Sequence, residues 1–102
     1  MEKIYLVMMQ YSTDESDGVE TEAFDSYEKA VKRFNEVIQD EKSCEDYWTS
    51  NAFENGKLGH NYELDCSPDY TDEEEHELWW YISCKMDWCL HTFIELRILE
   101  VQ

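Results

Sequence analysis

Leu78-Trp79-Trp80-Tyr81-Ile82-Ser83-Cys84, a turn near Met86-Asp87, and then His91-Thr92-Phe93-Ile94-Glu95-Leu96-Arg97-Ile98-Leu99-Glu100-Val101 decide the fold. Both arms are rich in the aromatic and β-branched residues that fit a half-buried pleated surface, and together they predict a hairpin. On the first arm Leu78, Trp80, Ile82 and Cys84 fall on one face, with Trp79, Tyr81 and Ser83 on the other. On the second, Thr92, Ile94, Leu96 and Ile98 alternate with Phe93, Glu95, Arg97 and Leu99. Side chains alternate across a strand, so one face of this hairpin is apolar and needs a cover.

The cover is upstream. Tyr27, Ala30, Val31, Phe34, Val37 and Ile38 recur at helical spacing, while Lys29, Lys32, Arg33, Glu36 and Asp40 lie off that stripe. Asp25 or Ser26 can cap the first turn, with Glu28 three residues after Asp25 as in a capping box, and the helix is predicted to run to about Glu41. Before it, Ile4 to Met9 is a continuous apolar run extended by Gln10 and Tyr11, the pattern of an interior strand. Asp17-Gly18 reads as a turn, and Val19 to Phe24 as a strand pairing back on the first. The expected architecture is α+β, a single domain over residues 1–102. An antiparallel sheet of about four strands, in the order β-β-α-β-β, carries one amphipathic helix on one face.

Ser43 to Thr71 is less patterned. Cys44 to Trp48 suggests a helical turn, Asn55-Gly56 and Leu58-Gly59 suggest turns, and Tyr62-Glu63-Leu64 a short extended piece. A structureless link of this length is unusual in a compact domain, so it is expected to carry structure or a binding role.

The charge is the outlier in composition. There are 25 Asp and Glu against 8 Lys and Arg, a formal net charge of −17, with 15% aromatic residues. Such aromatic content argues for a folded domain rather than an acidic tail. Self-repulsion at that charge costs stability, which halophilic adaptation, solubility or a dedicated basic partner would explain. Direct contact with nucleic acid or an anionic membrane is disfavoured, because phosphate contacts need Lys and Arg. No stretch has the length and apolarity of a transmembrane helix, and Met1-Glu2-Lys3-Ile4 does not open as a secretory signal, so the expected location is the cytoplasm. Cys44, Cys66, Cys84 and Cys89 are then expected to be reduced.

Motifs for chemistry are sparse. Cys84-x4-Cys89-x-His91, with Cys66, His60 or His76, resembles part of a zinc site, but its spacing is wider than the usual knuckle, and no metal is expected. Asp14-x-Ser16-Asp17-Gly18 departs from the calcium-loop pattern. There is no Gly-rich phosphate loop, G-x-S-x-G or H-E-x-x-H. Cys89 and His91 could in principle share a face as nucleophile and base, yet nothing supplies an oxyanion donor, and nearby acid opposes the thiolate. No catalytic residue and no cofactor are expected.

What remains is surface. Asp69, Asp72, Glu73, Glu74, Glu75 and Glu77 form a dense acidic entrance to the hairpin, beside Tyr70 and Trp79, and Glu20 and Glu22 add charge on the second strand. Trp79, Tyr81, Trp48 and Tyr70 are expected on the second face of the sheet, either as its cover or as anchors framed by carboxylates. Such anchors suit a basic protein partner, the rings holding and the charges steering.

Lys3-Ile4-Tyr5-Leu6-Val7, Phe24-Asp25-Ser26-Tyr27-Glu28-Lys29-Ala30 and Trp79-Trp80-Tyr81-Ile82-Ser83, in a small acidic chain, resemble the layout of small phage and mobile-element proteins that inhibit host defence. That class includes anti-CRISPR proteins and DNA-mimic anti-restriction proteins. The resemblance implies a non-enzymatic inhibitor acting in the host cytoplasm on a basic nucleic-acid-binding enzyme. Its physical basis is independent: a groove built for B-DNA meets about one negative charge per 1.7 Å of axis, which carboxylates on a rigid scaffold can imitate. An immunity protein or antitoxin against a basic toxin, or a small acidic domain with no inhibitory role, are the alternative readings.

Overall fold

The computed structural model describes residues 2–68 and 75–101. In chain order the elements are β1 (Glu2–Ser12), β2 (Asp17–Phe24), α1 (Tyr27–Ser43), α2 (Trp48–Asn51), β3 (Phe53–Glu54), β4 (Lys57–Leu58), β5 (Tyr62–Cys66), β6 (Leu78–Cys84) and β7 (His91–Val101). The main sheet has five antiparallel strands in the order β2-β1-β7-β6-β5. β7 sits at its centre, paired with β1 from Glu2↔Val101 to Ser12↔His91 and with β6 from Leu78↔Leu96 to Ser83↔His91.

The expectation of about four strands in a β-β-α-β-β order is corrected here. β5 joins β6 as a fifth strand, Leu64 opposite Ile82, and β3 and β4 make a separate hairpin. A helix of four residues and strands of two hold together only because they pack on a larger neighbour. The β3–β4 turn is Asn55-Gly56, with φ of 52° and 78°, the left-handed pair that a tight hairpin requires. Asp17-Gly18 is not the first turn. Both residues already belong to β2, and Thr13 to Ser16 turn the chain, Thr13 N donating to Ser16 O at 2.7 Å. Gly18 instead faces Tyr11, whose ring occupies the place a Cβ would take.

α1 starts at Ser26, whose hydroxyl accepts from Lys29 N at 3.5 Å. Asp25 stands outside and pairs with Lys29, so the capping box with Glu28 does not form. The buried residues of α1 are Tyr27, Ala30, Phe34, Ile38 and Glu41. They cover one face of the sheet, where Tyr5, Val7, Leu78, Trp80, Ile82, Ile94 and Leu96 form the core. Tyr5 and Tyr27 meet edge to face at 5.6 Å, and Phe53 stacks on Trp80 at 6.3 Å, which places the small hairpin on the same side. The Tyr27 hydroxyl donates to His76 O at 2.8 Å and accepts from His76 N at 3.0 Å, tying α1 to the entrance of β6.

Candidate partner-binding surface and cleft

The second face of the sheet carries the alternate residues of every strand. Leu6 and Met8 of β1, Phe93 of β7 and Tyr81 of β6 are half-buried, and no helix among the described residues packs across them. Tyr81 meets Phe93 edge to face at 5.5 Å and stacks on His91 at 6.3 Å. Trp79 is 37% exposed, and its Nε1 donates to Asp65 Oδ1 at 3.4 Å. Glu63, Asp65 and Glu95 stand on this face as well, because they pair in register with Ser83, Tyr81 and Trp79. The result is an apolar and aromatic strip with carboxylates along it. Contiguous exposed apolar surface rimmed by polar groups is the kind of surface that marks interaction sites. Trp48 is not part of it; that ring lies on the helix side, stacked on Tyr62 at 6.1 Å.

The sequence-predicted residues separate into three groups. Asp69, Tyr70, Asp72, Glu73 and Glu74 lie outside the described residues. Glu75, Glu77 and Glu22 carry internal interactions. Glu75 accepts from Tyr5 Oη and pairs with Lys3 Nζ at 3.4 Å, Glu77 pairs with Arg97 Nε at 2.9 Å and accepts from Ile98 N at 3.1 Å, and Glu22 pairs with Arg33 Nε at 2.9 Å. Glu20 and Trp79 are exposed, but on opposite faces of the sheet.

Glu20 belongs to a cleft that sequence reasoning did not assemble. The β1–β2 turn and the loop before β7 lie at the same end of the sheet, because Ser12 pairs with His91. The C-terminal end of α1 and the start of α2 close over that end. Between them is a cavity of about 580 Å³. Asp14, Glu15, Glu20, Glu41 and Asp46 contribute carboxyl groups, and Tyr11, Tyr47 and Trp48 contribute rings. Met9, Leu90 and Thr92 complete the wall from the sheet side.

Glu41 is the unusual member. It occupies the next turn of the apolar stripe after Ile38, so helix geometry carries it inward, to 5% exposure. Burial raises its pKa, a hydrogen bond with Thr49 opposes the rise, and the charges of Asp40 and Glu20 add to it. The Thr49 hydroxyl lies 2.6 Å from Glu41 O and also contacts Glu41 Oε2. One hydroxyl proton cannot fully serve two acceptors. The Thr49 hydroxyl is therefore shared between the carbonyl and the carboxyl oxygen of Glu41, and it ties the end of α1 to α2.

The metal-ligand spacing read from the sequence is not the one the fold brings together. Among the described residues, the ligand atoms that meet within 4.8 Å belong to Asp14, Asp87 and Cys89, without Cys84 or His91. Cys89 lies in the turn before β7, and the His91 ring stacks on Tyr81, so the two are not on one strand as a nucleophile–base pair would need. Burial raises the Cys89 pKa, with the Asp87 and Asp14 charges adding, so the thiolate is disfavoured. A hydrogen bond with Asp87 is the largest cause of a raised Asp14 pKa. The four cysteines are unbridged.

Comparison with known proteins finds no matching family model, no matching curated protein and no matching solved structure. No helix among the described residues is long and apolar enough to cross a membrane.

Proposed function

We propose that the protein is a non-catalytic binding protein that presents carboxylates and exposed aromatic rings to a basic protein partner. Within that class, the specific reading is an inhibitor that occupies the nucleic-acid-binding groove of a host defence nuclease, in the manner of a DNA mimic. The observation that carries it is Trp79: an exposed indole beside Tyr81 and Phe93, with Asp65 at hydrogen-bond distance and Glu63 and Glu95 on the same face. Anchoring rings inside an acidic frame combine an off-rate determinant with long-range steering. Four cations, Lys3, Lys29, Arg33 and Arg97, are already engaged with carboxylates, so the negative field is only locally offset.

The test is competition. The immobilised protein is incubated with host lysate, and bound material is challenged with duplex DNA at constant ionic strength. Release of a nuclease by DNA, and loss of its cleavage activity when the protein is added back, is the expected result. A partner that stays bound in excess DNA would contradict groove occupation.

A further inference from the structure

The cleft at the end of the sheet has a composition that selects its occupant. Among the described residues, five carboxyl groups and three aromatic rings line it, and no lysine, arginine or histidine does. Glu41, at 5% exposure, accepts from Thr49 but has no cation paired with it among the described residues. A buried carboxyl group without a counter-charge is costly unless it stays protonated or a ligand supplies the charge. Aromatic faces beside it attract cations through the ring quadrupole. An anion would meet only repulsion, and a neutral apolar ligand would desolvate carboxylates with nothing in return. The cavity of about 580 Å³ is of ligand size rather than of ion size.

We propose that this cleft receives a lysine or arginine side chain of a basic polypeptide. The alkyl stem lies against Met9 and Leu90, and the charged head lies between Tyr47 or Trp48 and the carboxylates. Long cationic side chains combine an apolar stem with a charged tip, which matches a site with both kinds of wall. The choice of a polypeptide rests on the basic-partner reading above, whereas the cation chemistry stands on the cleft alone.

Titration of the isotopically labelled protein with acetylated, amidated tri-arginine and tri-lysine peptides, followed through backbone amide shifts, tests it. Saturable shifts are expected at residues 13–16, 46–48 and 90–92. Asp46 and Tyr47 are exposed, so their substitution spares the core. Asp46→Asn with Tyr47→Ala is expected to weaken binding about tenfold, the loss of one ring–cation contact and one carboxylate. Glu2→Gln with Glu100→Gln, at the end of the sheet opposite the cleft, is expected to change it less than about twofold. Saturable shifts centred on Glu63, Asp65 and Trp79 instead would overturn the cleft and leave the basic-partner reading standing. No saturable shift anywhere would overturn both. Spermidine binding as tightly as the peptides would overturn the choice of a polypeptide.

Discussion

The hydroxyl of Tyr5 donates to the carboxylate of Glu75, at 2.9 and 2.8 Å from its two oxygens, and so pins the entrance of β6 to β1 across 70 positions of sequence. Tyr5 is also a core residue, edge-on to Tyr27, which holds the neighbouring His76 through its backbone. The described end of the acidic run is therefore part of the fold as well as part of the surface. Tyr5→Phe keeps the ring and removes the donor. It should lower the melting temperature without changing the circular dichroism of the folded state. An unchanged melting temperature would mean that the Glu75 tether contributes nothing to stability.

The helix stripe makes a sharper demand. Phe34 is 5% exposed at the centre of α1, over the core of the sheet. Phe34→Ala should cost about 3–5 kcal/mol, the usual range for emptying a buried aromatic site. Against total stabilities of about 5–15 kcal/mol, that is enough to leave a substantial unfolded fraction in mild denaturant. Urea unfolding of the two proteins side by side measures it.

Glu41 sets a pH dependence with a definite sign. Its folded pKa is raised, chiefly by burial, so between the unfolded and the folded values the folded state binds more proton than the unfolded one. The stability linked to this group is full below the unfolded carboxylate pKa and falls as pH rises through the folded value. Glu41→Gln removes the titration and keeps an oxygen that accepts from Thr49. The variant should be more stable than the parent above the folded pKa, and the difference should shrink as pH falls toward the ordinary carboxylate range. Thermal melts across that window check it, and a difference that grows toward acid would reverse the assignment.

The contrast between Phe34 and Glu41 also shows what could be read from the chain alone. Periodicity exposed the stripe of α1, the two faces of β6 and β7, the interior position of β1 and the pairing of β2, because each element is long enough to repeat its pattern. Residues 43–68 had no such repeat. There the Asn55-Gly56 turn and the extended piece at Tyr62 to Leu64 were legible. By contrast, α2 and the pairing of β3 with β4 take their form from tertiary contacts, Trp48 on Tyr62 and Phe53 on Trp80, which local pattern does not encode. The cleft was hidden for a related reason: Met9 to Glu20, Glu41 to Trp48 and Leu90 to Thr92 meet only once Ser12 is paired with His91. One signal was available. Glu41 follows Ile38 by three residues, on the same face as the apolar stripe, where a carboxylate is out of place.

The last prediction separates steering from anchoring on the proposed partner surface. Glu63→Gln with Asp65→Asn removes two exposed charges on the face that carries Trp79. Charges at a rim act on the approach of the partner, so association should slow and its salt dependence should flatten while dissociation stays nearly constant. Trp79→Ala removes a ring that is 37% exposed and leaves the charges in place. A buried anchor acts after contact, so dissociation should accelerate while association changes little. The same split extends to Glu73→Gln with Glu74→Gln, where slower association would bring the acidic entrance of the hairpin into the interface. Glu75→Gln is the control that mixes both effects, because Tyr5 and Lys3 already hold that carboxylate. Binding kinetics at two salt concentrations, with circular dichroism on each variant, decide the matter. If Trp79→Ala and the double charge variant changed the same rate constant, anchor and frame would not be acting as separate parts of one interface.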